Sequence, residues 1–466
     1  MEQTYELQSL ENIQETSVGK KIEVYGRAHN VRKTGSTCFI ILRDRIFSLQ
    51  CVGTKKDLNE RFQHIWNIPK ESCIHIKGEL KKLPLDVKRV ESCYYHDFEL
   101  QIENVIIISK AYPLLIDIDN MNQLYNEVDN DTSDRTNVGL NTRLNTRYLE
   151  LRTPLSYCIF KVQAGIGRFF RQYLNNNGFI EIHSPKLIGT ASESGASVFS
   201  VKYFNQTAYL AQSPQLYKQM AINADFQKVY EVGHVFRAEN SVSHRHLCEF
   251  IGLDIEMKLN PPYHYHQIIR LLWNTLMSIF MGIETTYKRE ADYIRKYTNT
   301  SLLHHPVEPL IIEFVDGVQM LNERGHTQNP LEDLSTENEK HLGNIVKELY
   351  GSDLFVLTGY PQSARPFYTM PRMDSEYSNS FDVIMRGEEI CSGSQRVNDY
   401  DMLLERLKKL NLNEESFKDY LESFKYGSFP HGGCGFGLER ILMLYFGLMN
   451  VRVTSLFPRD PTRLKP

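Results

Sequence analysis

The sequence predicts an α+β protein: a small all-β barrel of the OB type towards the N-terminus, then a larger body of strands and helices. Three observations point there. The chain has 466 residues, enough for two domains. Residues 20–110 break into five short runs rich in β-branched and aromatic residues, separated by turn signals. Beyond residue 147, helix-spaced apolar residues alternate with strand-like runs through to the C-terminus.

Composition narrows the class. Hydrophobic residues make up 41% and charged residues 24%, ordinary values for a soluble globular protein. No run of about 18 apolar residues is present, so no membrane span is expected. The opening stretch, MEQTYELQSLENIQETSVGK, is polar and acidic, which argues against a secretory or mitochondrial leader. The eight cysteines (Cys38, Cys51, Cys73, Cys93, Cys158, Cys248, Cys391 and Cys434) include no C-x-x-C pair. Neither a disulfide framework nor a structural zinc site is therefore expected, and a reducing, cytosolic compartment is. The net charge of −4 is uneven. Residues 18–112 carry 17 Lys and Arg against 11 Asp and Glu, a balance of +6 that leaves −10 elsewhere. A basic module on an acidic body suits contact with a polyanion, although such an excess also occurs on ordinary solvated surfaces.

In chain order, KIEVYGRAHNV, STCFIILRD, IFSLQCV, SCIHIKGEL and FELQIENVIIIS read as strands, with a helical stretch near LNERFQHIW. Five strands and a helix suit an OB barrel over residues 15–112, a fold that commonly binds single-stranded nucleic acid on one face. Residues 113–134 hold six acids and no base, and the hinge they begin extends to 146. The body then runs over 147–466. Its first helix, SYCIFKVQAGIGRFFRQYLNNNG, has apolar Ile159, Val162, Ile166, Phe170 and Tyr173, and stops at an Asn run and Gly178. Residues 262–300 and 335–350 also read as helical, the former in a small insertion of about 260–330.

Four stretches carry chemistry. In VYEVGHVFRAENSVSHRHLCEF (229–250) a strand over 229–239 would point Arg237 and Glu239 the same way, ahead of a loop holding His244, Arg245 and His246. On the return strand, Phe250, Gly252, Asp254 and Glu256 share one face, while Ile251, Leu253 and Ile255 share the core face. A guanidinium grips phosphate through paired donors and an aromatic ring stacks on a base, so the set suits ATP. The plainer reading is a salt-bridged hairpin. In FPHGGCGFGLER (429–440), Gly433, Gly435 and Gly437 leave one strand face without side chains, so something approaches the backbone closely. Arg440 falls in the first turn of the next helix, where a cation is unfavourable unless an anion lies near. Tight strand–helix packing is the plainer reading of the glycines.

In FDVIMRGEEICSGSQR (381–396), a hairpin turning at Arg386-Gly387-Glu388 would bring Asp382 and Glu389 together as carboxylates for Mg2+. Strict alternation puts Glu389 and Arg396 on opposite faces, so a shared site demands a bulge near CSGS. In YLAQSPQLYKQM (209–220), Gln215 and Lys218 share a helix face at i, i+3, as in any amphipathic helix start. No G-x-x-x-x-G-K-[ST] loop occurs, nor a G-x-G-x-x-G in a Rossmann setting, so ATP would be bound by another kind of fold.

These four stretches, in this order and with SPKL (184–187) before them, resemble the class II aminoacyl-tRNA synthetases. The OB module narrows the resemblance to the aspartyl, asparaginyl and lysyl group. QSPQLYKQ, HRHLCEF, GEEICSGSQR and the ending SLFPRDPTRLKP are similar to the aspartyl enzymes of the eukaryotic and archaeal kind. The resemblance implies an antiparallel-sheet catalytic domain flanked by helices, a cytoplasmic homodimer with Pro185 at its interface, and the substrates ATP, L-aspartate and tRNA-Asp, with Mg2+ as cofactor. By that similarity Arg237 grips the α-phosphate, Phe250 and Arg440 sandwich adenine, and Glu239 reads its amino group. Arg245 and His246 hold the outer phosphates, and Asp382 and Glu389 hold the metal.

The same similarity places Lys218 and Arg396 on the aspartate side chain. A buried cation left unpaired is costly, so such a pocket should reject asparagine. It also implies that Gln215, Ser392 and Asp254 orient the substrate and that Glu193, in SESGAS, closes over its amino group. Family members often have glycine where Ser194 stands here. In the OB module, Arg32, Phe39, Gln50 and Glu99 match positions that read the anticodon by stacking and base-edge contacts. The nearest alternatives are an asparaginyl enzyme, disfavoured by Lys218, and a catalytically inactive RNA-binding relative, disfavoured by the intact Arg237, Arg440, Asp382 and Glu389. An ATP-dependent asparagine synthetase on the same catalytic fold would not need the OB module.

Overall fold

The computed structural model describes residues 4–84, 86, 89–124, 138–190 and 198–466. The chain divides into two compact units, residues 1–158 and 159–466.

In the first unit, β1 (Lys21–Thr34), β2 (Thr37–Asp44), β3 (Phe47–Thr54), β4 (Cys73–Lys82) and β5 (Tyr95–Ser109) form the barrel, with helix α1 (Arg61–Trp66) between β3 and β4. Strands β1 to β3 form an antiparallel meander, β3 pairs β5 in parallel, β5 pairs β4, and β4 closes on β1. Ile22, Val24, Ile40, Leu42, Ile74, Ile76 and Leu100 alternate inward and are fully buried, each removing its side chain from water at a gain of about 1.5–3 kcal/mol. A short strand, Glu6–Leu7, pairs in parallel with Ile22 and Glu23, so ordered chain begins before residue 15. The hinge stretch is more structured than its charge suggests: Ile118 and Met121 lie in a short helix and bury against Leu149. Residues 125–137 of that stretch lie outside the described residues.

Helix α2 (Pro154–Asn176) begins just before the second unit, whose other helices are α3 (Gln215–Asn223), α4 (His266–Thr286), α5 (Lys288–Thr298), α6 (Phe314–Glu323), α7 (Thr336–Tyr350), α8 (Tyr400–Lys409), α9 (Lys418–Lys425) and α10 (Leu438–Tyr445). The strands are β6 (Ile180–Glu181), β7 (Lys228–Phe236), β8 (Glu249–Lys258), β9 (Ile311–Glu313), β10 (Leu354–Thr358), β11 (Ser380–Met385), β12 (Glu388–Gln395) and β13 (His431–Gly437). Their order in the eight-stranded sheet is β9-β10-β11-β12-β13-β8-β7-β6. The six inner strands pair antiparallel, and β9 and β6 add parallel pairings at the two edges. A separate three-stranded sheet joins Leu187–Ile188, Gln206–Leu210 and Ser200–Tyr203.

The sheet has one apolar face, as antiparallel sheets commonly do. Leu253 and Ile255 on β8 are fully buried, and Phe170 on α2 packs edge-on against Tyr230 and Phe436. Helix α2 ends as its sequence signals: Gly178 takes φ +76°, and the Gly178 and Phe179 amides return to Asn175 and Leu174. The 262–300 stretch is two helices, α4 and α5, meeting at Tyr287.

Candidate active site

The other face of the sheet carries a cavity of about 390 Å³. Its lining draws on all four chemical stretches: Gln215 and Lys218 from α3; Arg237, Glu239, Arg245, His246, Phe250 and Asp254 from β7, β8 and their connection; Asp382, Glu389, Ser392 and Arg396 from β11, β12 and the residue after it; and Arg440 from α10. Six cations line it (Lys218, Arg237, Arg245, Arg365, Arg396 and Arg440), matched by six carboxylic acids (Glu239, Asp254, Asp333, Asp382, Glu389 and Glu439). Burial holds Asp254, Asp333, Glu389 and Glu439 above the ordinary carboxylate range.

Strand β7 ends at Phe236, so Arg237 and Glu239 stand just beyond it. They still meet, 3.9 Å apart, and the Arg237 guanidinium lies 5.7 Å from the Phe250 ring centroid. Arg440 donates to the carbonyls of Glu389 (2.9 Å) and Arg245 (3.2 Å), so backbone oxygens supply the negative charge expected near it. Arg245 is engaged by Glu339 and Thr336. His246 bonds to Ser243 Oγ at 2.6 Å, and burial, then Arg440, hold its pKa below the usual histidine value.

The hairpin turns at Arg386 and Gly387, both at positive φ, the two-residue loop that matches strand twist. Its register shifts between Val383 and Ile384: Val383 faces Cys391, whereas Ile384 faces Glu389. Ile390 is therefore the extra residue, one position before the CSGS stretch. This bulge brings Glu389 into the cavity with Ser392, Ser394 and Arg396.

Lys218 and Arg396 are buried, as expected, but they are not unpaired. Lys218 Nζ lies 3.0 Å from Asp254 and 3.4 Å from Glu256, and Arg396 grips both oxygens of Glu256 at 3.0 and 3.2 Å. Burial pushes the Glu256 carboxyl up, but Arg396 and Lys218 outweigh it and hold it below its usual range. Asp254 and Glu256 already pair with the two cations, so Lys218 and Arg396 are not the unpaired cations expected of a pocket that rejects asparagine. Gln215 is buried and donates to Gln219.

The close approach at the glycines is made by β8. A Cβ on Gly433 would overlap the Ile255 carbonyl and the Glu256 carboxylate, and one on Gly435 would sit 3.1 Å from Asp254 Oδ1. Their absence of side chains makes room for the acids that hold Lys218 and Arg396.

Sequence reasoning assigned no role to Arg365, Glu256 or Glu339. Arg365 donates to Asp382 Oδ2 (2.7 Å) and Ser392 Oγ (2.8 Å) and lies 3.9 Å from the Tyr360 ring centroid. Glu339, on α7, accepts the Glu389 amide as well as Arg245; burial and then Glu389 push its carboxyl up to about 7. Among the described residues no cluster of three metal-ligating side chains occurs. Mg2+ needs only one or two carboxylates beside phosphates and water, and Asp382 Oδ1 is buried with no hydrogen-bond partner, so the pair fits such an ion. Glu193 and Ser194 lie outside the described residues.

In the first unit the four anticodon candidates come together. Arg32 lies 4.7 Å from the Phe39 ring centroid and donates to Gln50 Oε1 at 3.3 Å, and Gln50 in turn donates to Glu99. Phe39 is half-buried rather than core.

Two family profiles match: "tRNA synthetases class II (D, K and N)" over residues 139–461 and "OB-fold nucleic acid binding domain" over residues 22–108. The cytoplasmic aspartate–tRNA ligase of Caenorhabditis elegans is 43% identical over 98% of this chain and 87% of its own length. Among solved structures, an aspartyl-tRNA synthetase from Leishmania major superposes with TM-score 0.91 at 35% identity, covering 100% of this chain and 96% of its own. The asparaginyl-tRNA synthetase of Pyrococcus horikoshii reaches 0.86 at 27%, covering 99% and 100%.

Proposed function

The chain belongs to the class II tRNA synthetases of the D, K and N group, and from that premise we propose how its residues carry out the work of an aspartate–tRNA ligase. The activity is ATP-dependent: L-aspartate becomes aspartyl-adenylate with release of pyrophosphate, and the aspartyl group passes to the 3′ end of tRNA-Asp in the cytoplasm, the compartment its relatives are named for. The observation that supports the residue roles is that one cavity gathers them. It sets Arg237, Arg245, His246, Phe250 and Arg440 beside the buried pair Lys218 and Arg396.

The nucleophile is the α-carboxylate of aspartate, already ionised at neutral pH, so no general base is required. Catalysis rests on position and on charge met as it develops at phosphorus. Arg237 takes the α-phosphate, while Phe250 and Arg440 hold adenine between them and Glu239 accepts from its amino group. Arg245 and His246 take the outer phosphates. Asp382 and Glu389 hold Mg2+, which supplies positive charge to phosphate oxygens when bound. Lys218 and Arg396 exchange part of their contact with Asp254 and Glu256 for the aspartate side chain, with Gln215, Ser392 and Glu193 orienting the rest of the amino acid. Arg32, Phe39, Gln50 and Glu99 read anticodon bases. The chain works as a homodimer through the edge around Pro185, a reading supported by exposed Pro185, Ile180 and Leu187.

ATP–pyrophosphate exchange without tRNA, run in parallel with aspartate, asparagine, lysine and no amino acid, tests this reading. Exchange is expected with aspartate alone and should collapse in Lys218→Ala. Exchange with asparagine would transfer the residue roles to the alternative asparaginyl reading, and no exchange in a folded protein would overturn them.

A further inference from the structure

We propose that Glu339 is the resting partner of Arg245, a positioning residue that keeps the loop guanidinium docked on α7 until the outer phosphates of ATP displace it. This inference rests on the reading of Arg245 as a phosphate ligand. Arg245 Nη1 donates to Glu339 Oε2 at 2.5 Å and Nη2 to Thr336 Oγ1 at 2.7 Å, both acceptors lying in the first turn of α7. Glu339 is only 8% exposed, so its carboxylate is fixed by packing rather than swaying in solvent.

The contact is not an isolated surface pair. His244, the preceding residue, bonds Glu388 at 2.7 Å; the Arg245 carbonyl accepts Arg440 Nη2; and Glu339 Oε1 accepts the Glu389 amide. The loop is therefore tied to the hairpin that carries Glu389 directly through His244 and, by way of Glu339, through Arg245. Two guanidinium donors are already committed to protein acceptors, so phosphate binding is an exchange of one anion for another. The two N–H donors held by Glu339 and Thr336 have to leave them before they can meet phosphate, and apparent affinity falls by the fraction of time they are docked. The docked contact also spares the protein a buried, uncompensated carboxylate when no nucleotide is bound.

ATP binding to the full chain, measured by titration calorimetry, decides the matter with Glu339→Gln, Arg245→Ala, the double variant and Thr336→Val. Gln keeps an acceptor for the Glu389 amide while removing the charge that holds Arg245. Glu339→Gln should tighten ATP by about three- to tenfold and Thr336→Val by less. Arg245→Ala should weaken ATP, and adding Glu339→Gln to it should change nothing further. If Glu339→Gln weakens ATP, or shifts it equally with and without Arg245, Glu339 acts on the fold or on Glu389 and the proposal fails. If Arg245→Ala leaves ATP binding unchanged, the underlying reading of Arg245 fails instead, and the docked contact loses its purpose with it.

Discussion

At the scale of single residues, the cavity is governed by buried charges whose partners could not be read along the chain. Arg237 stood out beside Glu239 ahead of a cationic loop and Arg440 in the first turn of a helix, whereas Lys218 and Arg396 were singled out only by the family resemblance. Glu256, Glu339 and Arg365 did not stand out, because their partners are 140, 94 and 17 residues away. Glu439 makes the consequence measurable. It is 4% exposed, its carboxylate accepts the Ile251 amide, and burial pushes it up to about 7 from an ordinary 4.5. A carboxyl raised by folding contributes stability that is full below pH 4.5 and is lost as the pH rises through 7. That shift corresponds to roughly 3 kcal/mol. Glu439→Gln should remove this slope, so that the variant gains thermal stability relative to the parent between pH 5 and pH 8. Parallel melting curves for the two proteins across that range would contradict the assignment.

At the scale of elements, the strands and the hairpin turn were legible because period-two patterning and an Arg-Gly turn are local signals. Parity alone required a bulge in 381–396, but its place at Ile390 depends on how β12 sits against β11, which no local signal carries. The bulge turns the Glu389 side chain into the cavity, and Arg440 and Glu339 take up the Glu389 backbone carbonyl and amide. Deleting Ile390 shortens the Glu389-to-Arg396 spacing from seven residues to six, so regular alternation keeps Glu389 on the cavity face, but straightening the strand shifts its side chain and its backbone contacts with Arg440 and Glu339. Exchange should then fall by about 10²-fold or more, as misplacing a catalytic group by an ångström or so can do. Ile390→Val, which keeps the extra residue, should lose little. Circular dichroism on both variants separates a lost register from a lost fold, and full activity in a folded deletion variant would contradict the role given to the bulge.

At the scale of the whole molecule, two compact units divide two kinds of chemistry between them. The cavity that gathers the residues proposed for ATP and aspartate is lined wholly by the second unit, and the Arg32–Phe39–Gln50–Glu99 cluster belongs wholly to the first. The charge excess of residues 18–112 pointed to a polyanion for that unit, but patterning could not settle whether Phe39 faces the core. The ring sits on a strand, half-buried, opposite Arg32 across the β1–β2 pair, with a guanidinium over it. A base entering there would take the place of that cation or stack with it. Loss of one base–aromatic stack costs about 1–3 kcal/mol, so Phe39→Ala should raise KM for tRNA-Asp by about 5- to 150-fold. Adenylate formation needs no anticodon, so ATP–pyrophosphate exchange should remain at the parental rate. Arg32→Ala should act in the same direction and flatten the salt dependence of tRNA binding as well, because a guanidinium that meets phosphate or base releases counterions and a phenyl ring does not. Equal losses of exchange and of charging in Phe39→Ala would mean that the ring supports the barrel rather than the RNA.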